Sequence, residues 1–129
     1  MLRGEHGFAG VLRGDGITQP FAASGDATRG RALLMSRDPA NCILCHGLGD
    51  PAVRFAGNLA PPLDGAGSRL TMAQLRLRVV DSSRINSETI MPAYYKTEGL
   101  RAVAAQYSGK TVLSAQQVED LVVYLSNLK

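Results

Sequence analysis

Two cysteines and a histidine stand together in "NCILCH", residues 41–46, and Cys42 and Cys45 are the only cysteines in the chain. Two thiols at this spacing, with an imidazole directly after the second, suit four kinds of chemistry. A redox-active C-x-x-C belongs in a βαβ setting, and the sequence has no such pattern. Structural zinc needs four ligands, and with two Cys and two His in all the fourth would have to be His6. A disulfide between Cys42 and Cys45 closes a loop too small to restrict the unfolded chain much, and leaves His46 unexplained. Covalent attachment of a c-type haem employs all three groups. Cys42 and Cys45 each form a thioether to a porphyrin vinyl group, and His46 is then held under the ring, where its imidazole reaches the iron.

An axial histidine leaves the other face of the iron for a second ligand. The candidates are His6 and the methionines at 1, 35, 72 and 91. Met1 is terminal, and Met35 lies in the stretch leading into the attachment run. Met72 falls at a helix start, where methionine more often fills a core than binds a metal. Met91 lies in "TIMPAYY", and Pro92 after it stiffens the loop and keeps Met91 out of a helix. Met91 is the expected distal ligand; the alternative is a buried loop methionine beside an iron ligated in another way. His/Met ligation fills both axial positions and raises the potential, which makes an electron carrier with no open site for substrate. No catalytic residue is expected.

The elements that position these groups are helical. Asp26 is an N-cap for "ATRGRALLM", where Ala27, Gly30, Leu33 and Leu34 share a face. Gly30 is unfavourable there by about 1 kcal/mol relative to Ala, unless another backbone approaches closely. The Gly- and Pro-rich loop 47–70 is too long for an idle connection and is expected to bind or wrap something. Thr71 caps "MAQLRLRVVD", with Leu75 and Val79 on one face. Residues 81–110 are irregular, with a short helical turn expected near Leu100–Ala105. Ser114 and Gln117 make a capping box ahead of the apolar stripe Val118, Leu121, Val122 and Leu125. No strand pattern is visible. The expectation is an all-α fold of three to four helices and long loops around one haem, with residues 1–25 an extended arm and 26–129 the domain.

With 129 residues the chain fits one domain, and 45% hydrophobic against 19% charged residues excludes a disordered tail. The net charge of +3 is spread along the chain, with no basic run interleaved with aromatics, so no nucleic-acid partner is expected. No apolar stretch approaches the roughly 20 residues that span a bilayer, so no membrane partner is expected either.

The order of parts resembles the class I cytochrome c family: a first helix, "CILCH", a Gly/Pro loop, a Met-bearing loop and a last helix. In that family the first and last helices cross closely, which implies that Gly30 meets Tyr124 and Leu121. "APPLDGAGSR" is similar to the family's Gly-Pro-x-Leu loop, although Ala60 stands where Gly is usual. The likeness implies that Pro61 offers its carbonyl to the His46 ring N–H. It further implies that Leu63 packs on the haem and that Arg69 lies near a propionate.

A narrower resemblance covers nearly the whole chain. "GDATRGRALLMSRDPANCILCHG", "GNLAPPLDGAGSRLTMAQLRLRVVD" and "TIMPAYYK" look like the SoxX family of small cytochrome c subunits. Membership implies a heterodimer with a SoxA-type cytochrome, which joins thiosulfate oxidatively to a cysteine of a SoxYZ-type carrier protein. It also implies that electrons pass through this haem to a soluble cytochrome c. With no third cysteine, the chain cannot supply the cysteine ligand of the SoxA haem. Tyr94, Tyr95 and Lys96 are expected either to line the partner contact or to cover the ring. The resemblance implies a periplasmic protein; no export signal is visible at the start of this sequence, and the expectation is that it has been removed, the alternative being a mis-chosen start. The rival reading is a free-standing monohaem cytochrome c that shuttles electrons to a terminal oxidase. An extended arm suits the subunit better, because it has a partner to wrap.

Overall fold

The computed structural model describes residues 12–49, 53, 56–96 and 110–129. Among them are four α-helices: α1 (Ala27–Met35), α2 (Ala66–Arg69), α3 (Met72–Asp81) and α4 (Ala115–Ser126). Two short 3-10 turns, Cys42–Leu44 and Ser82–Arg84, lie between them. The helical turn expected near 100–105 and His6 fall outside the described residues.

Each main helix starts where a side chain satisfies an orphan amide. Asp26 accepts from the Arg29 N–H at 2.9 Å. At α3 and α4 the caps are full capping boxes, Thr71 with Gln74 and Ser114 with Gln117. The cap at α3 is stronger than Thr71 alone implies, because the Gln74 side chain returns to the Thr71 N–H at 2.8 Å.

Helix α1 crosses α4, and α3 packs on α4 from another side. A Cβ on Gly30 would run into the Asp120 carbonyl oxygen and the Tyr124 Cβ. The glycine therefore permits a backbone approach, as expected, with Asp120 rather than Leu121 as Tyr124's companion. The core under this crossing includes Leu34, Leu77, Val80, Leu113, Val118 and Leu121.

Two strands occur where none was expected. β1 (Leu12–Arg13) and β2 (Gly16–Ile17) pair antiparallel across a two-residue turn with Gly14 at φ +60°. Two residues per strand are too few to show alternation in sequence. The hairpin belongs to the domain, since Ile17 is fully buried and β2 lies on α3.

Charged side chains secure this segment to the helices. Arg76 and Glu119 form a two-pronged ion pair with both side chains 3% exposed. The Nη1 of Arg76 also donates to the Ile17 carbonyl at 2.7 Å, and the Phe21 N–H donates to Glu119 at 3.1 Å. Next to it, Asp120 accepts from the Asp26 N–H, the Arg29 guanidinium and the Gln116 amide. Burial alone would raise the Asp120 pKa, but these donors outweigh it and hold the carboxyl below its ordinary value.

Candidate functional site

Asn41 adopts a left-handed conformation, φ 55°, which asparagine tolerates better than most residues, and this turns the chain into the 3-10 segment of Cys42–Leu44. The turn places both thiols and His46 within one compact unit, since the His46 N–H donates to the Cys42 carbonyl at 3.0 Å. Cys42 and Cys45 are free and half-buried. Burial pushes the Cys42 thiol up to about 11. A reactive redox thiol is tuned in the opposite direction, and the βαβ setting of a thioredoxin-like C-x-x-C is absent among the described residues. Among the described residues no group of three His, Cys, Asp or Glu side chains is placed to hold a metal ion, and His6, the fourth ligand that the zinc reading needs, lies outside them.

The long Gly/Pro loop is the second wall. It runs beside the attachment turn through three backbone bonds: Gly57 N–H to Ile43 O, Ala60 N–H to Cys45 O, and Leu63 N–H to Gly47 O, at 2.8, 3.0 and 2.7 Å. Gly57 is required for this, because a Cβ there would strike the Leu44 carbonyl. This register delivers the Pro61 carbonyl to 2.7 Å from His46 Nδ1. A carbonyl can only accept, so Nδ1 carries the proton and the lone pair stands on Nε2. Ala60 in place of glycine leaves the contact intact.

Leu63, Cys42 and Met91 are each partly buried against the apolar core. Arg69 is folded back onto its own loop, donating to the carbonyls of Asp64 and Pro62 at 2.8 and 3.3 Å. Three of its five N–H groups remain for another acceptor. Met91 is half-buried, with Sδ 3.4 Å from Ser82 Oγ. The Ser82 hydroxyl is shared between this sulfur and the Arg78 carbonyl, the latter at 2.8 Å. Met35 packs on the core and Met72 is 41% exposed at the start of α3.

Tyr94 is buried and donates its hydroxyl to the Ala40 carbonyl at 2.5 Å, two residues before the first cysteine. Burial raises its pKa, so it stays neutral and keeps that proton. Tyr95 packs on Phe21 with ring centroids 4.8 Å apart, and Lys96 pairs with Asp81. All three side chains behind Met91 are thus engaged within the chain. The sequence reading missed Ser82, Asp81, Arg76 and Glu119. The signal for Glu119 and Asp120 was available, as an acidic pair set inside the apolar stripe of α4.

The donor set fits haem c: two free thiols, an imidazole with an unengaged Nε2, and a thioether sulfur on the same apolar cluster. A family model described as Cytochrome c matches residues 27–129, and the chain belongs to the cytochrome c family. Its cofactor is covalently bound haem c. The structure is similar to the crystal structure of SoxXA from P. pantotrophus, at 37% identity and TM-score 0.83 over 93% of this chain and 94% of that one. This bears out the resemblance to SoxX drawn from sequence. The c-type cytochrome SorU from Sinorhizobium meliloti shares the fold, at 22% identity and TM-score 0.50, over 79% of this chain and 88% of that one. No curated protein matches the chain. No helix among the described residues is long and apolar enough to cross a membrane.

Proposed function

We propose that the chain is the electron-accepting subunit of a SoxAX-type complex, working in the periplasm as a heterodimer with a SoxA-type cytochrome. The observation that carries this reading is the 37% identity to SoxXA, extending across 93% of this chain and including the segment ahead of the family match. Cys42 and Cys45 are the covalent anchors, and His46 and Met91 the two axial ligands. Bound haem c supplies a one-electron couple at its iron.

The chain's own residues account for the rest. The Pro61 carbonyl fixes the His46 tautomer and turns Nε2 outward as the ligand atom, while drawing on the Nδ1 proton makes the imidazole a stronger donor. Leu63, packed against the core, would lie against the haem. Arg69, with N–H groups to spare, would hold a haem propionate. Electrons released when thiosulfate is joined to the cysteine of a SoxYZ-type carrier enter here and leave to a soluble cytochrome c.

The test is the visible spectrum of the protein matured in a haem c-assembling host, beside that of Met91→Ala. A low-spin spectrum with the weak ferric sulfur-to-iron band, absent from the variant, is expected. Co-purification with the SoxA-type partner then tests the subunit role, and a chain that remains alone at micromolar concentration would favour the shuttle.

A further inference from the structure

The loop that carries Met91 leaves α3 at Asp81 and returns to it at Lys96. The last four carbonyls of a helix have no partner within it. On α3 three of these are met by the loop's own two ends. Ser82 Oγ donates to Arg78 O at 2.8 Å, and the N–H groups of Tyr94 and Tyr95 donate to Val79 O and Val80 O, each at 3.3 Å. Those two returning bonds are long, and by themselves would hold the loop weakly.

An ion pair sits at the same neck. The Lys96 ammonium stands 3.2 Å from Asp81 Oδ2, with the side chains 14% and 1% exposed. Asp81 Oδ1 accepts from the Ser83 N–H and hydroxyl, whereas Oδ2 has no hydrogen bond, the ammonium lying outside hydrogen-bond geometry. Among the described residues, Lys96 is the cation paired with this oxygen of the buried carboxylate. A buried charge that loses its partner is strongly unfavourable, so the pair resists opening far more than an exposed one would.

We infer that Asp81 and Lys96 are positioning residues that clasp the neck of the Met91 loop and hold its sulfur at the iron. This rests on Met91 being the distal ligand. The clasp acts on the opening of the loop, which must precede replacement of Met91 by any other ligand. An external ligand binds only to the open fraction, so its apparent affinity reports how firmly the neck is closed.

The experiment titrates imidazole into the ferric haem-loaded protein and follows loss of the sulfur-to-iron band. Asp81→Asn and Lys96→Met are expected to bind imidazole about tenfold tighter or more than the unaltered protein, since each breaks the buried pair. Lys96→Arg, which keeps the charge, is expected to restore most of the difference. Hydrogen exchange at the Tyr94 and Tyr95 amides should accelerate in the same two variants. Glu119→Gln serves as control, because it weakens the fold at a different buried pair, with Arg76, that does not touch the neck of the loop, and should leave imidazole binding unchanged. Unaltered imidazole affinity in Asp81→Asn and Lys96→Met overturns the clasp, as does equal tightening in Glu119→Gln. If the unaltered protein and Met91→Ala bind imidazole alike, the ligand assignment fails, and the clasp with it.

Discussion

Arg76 and Glu119 meet through two bonds, Nε to Oε2 at 2.9 Å and Nη2 to Oε1 at 2.8 Å, where neither side chain reaches more than 3% exposure. The pair joins α3 to α4 and grips the preceding segment at Ile17 and Phe21. Breaking it from one side leaves a buried guanidinium uncompensated. Glu119→Gln should therefore lower stability by about 3–5 kcal/mol, while Arg76→Met with Glu119→Leu should cost much less than the single change. Urea unfolding of the three variants decides the matter.

The segment before α1 cannot be removed as an appendage. Ile17 is fully buried, and Ile17→Ala should cost about 2–5 kcal/mol. Deletion of residues 1–20 should likewise lower the melting temperature of the isolated chain. Loss of co-purification with a partner in that deletion would then report misfolding. Deletion of residues 1–11 separates the two effects, with thermal unfolding and co-purification measured on the same sample.

Gly30→Ala sets helix propensity against a clash. Alanine favours an isolated helix by about 1 kcal/mol. The obstructing atom is the Asp120 carbonyl oxygen, which is part of a helix backbone and cannot swing aside. Overpacking of this kind costs about 1–3 kcal/mol, so the variant should be destabilised on balance. An increase in denaturation midpoint would show that α1 and α4 can separate freely.

Tyr94→Phe removes the donor from the buried Ala40 carbonyl and should cost about 1–3 kcal/mol. Equilibrium unfolding gives the magnitude. Because Ala40 lies two residues before Cys42, the yield of covalently attached haem should fall as well, measured by haem stain against total protein.

Acid stability should depend on Asp120. Its carboxyl is held below the ordinary value of 3.8, so the folded state binds fewer protons than the unfolded one in that range. The stabilisation is fully present above the unfolded value and is lost as pH falls through the lower folded one. Asp120→Asn should be less stable than the unaltered protein at neutral pH, and the difference should shrink on acidification below 3.8. Denaturant unfolding at stepped pH tests this, and a constant gap would show that Asp120 acts only through its shape.

The candidate site was legible in part. The attachment run is contiguous, so its chemistry shows in six letters, and Pro92 marks Met91 apart from the other methionines. The Pro61 contact came from a family likeness and appears in the structure at 2.7 Å. Arg69 could not be placed by such means, since a surface arginine has several carbonyls within reach, and here it takes those of Pro62 and Asp64. The sequence gives Tyr94 and Lys96 only a partner contact or the haem ring as company, because their partners within the chain, Ala40 and Asp81, are 54 and 15 residues away.

By itself the sequence determined the starts of the helices at Asp26, Thr71 and Ser114, the close approach at Gly30, and the candidate haem-attachment run. Each of these follows from interactions within about one turn of chain or from the size of one side chain, and such terms are the same in any fold. The tertiary structure alone decided that Arg76, Asp81 and Glu119 would be buried, which His46 nitrogen holds the proton, and that Ile17 belongs to the core. Phe21 and Glu119 lie 98 positions apart, and Arg76 and Glu119 lie 43 apart. Whether a charge gains or loses by its place depends on the desolvation and the partner it meets there, and both come into being only when the distant segments close on one another.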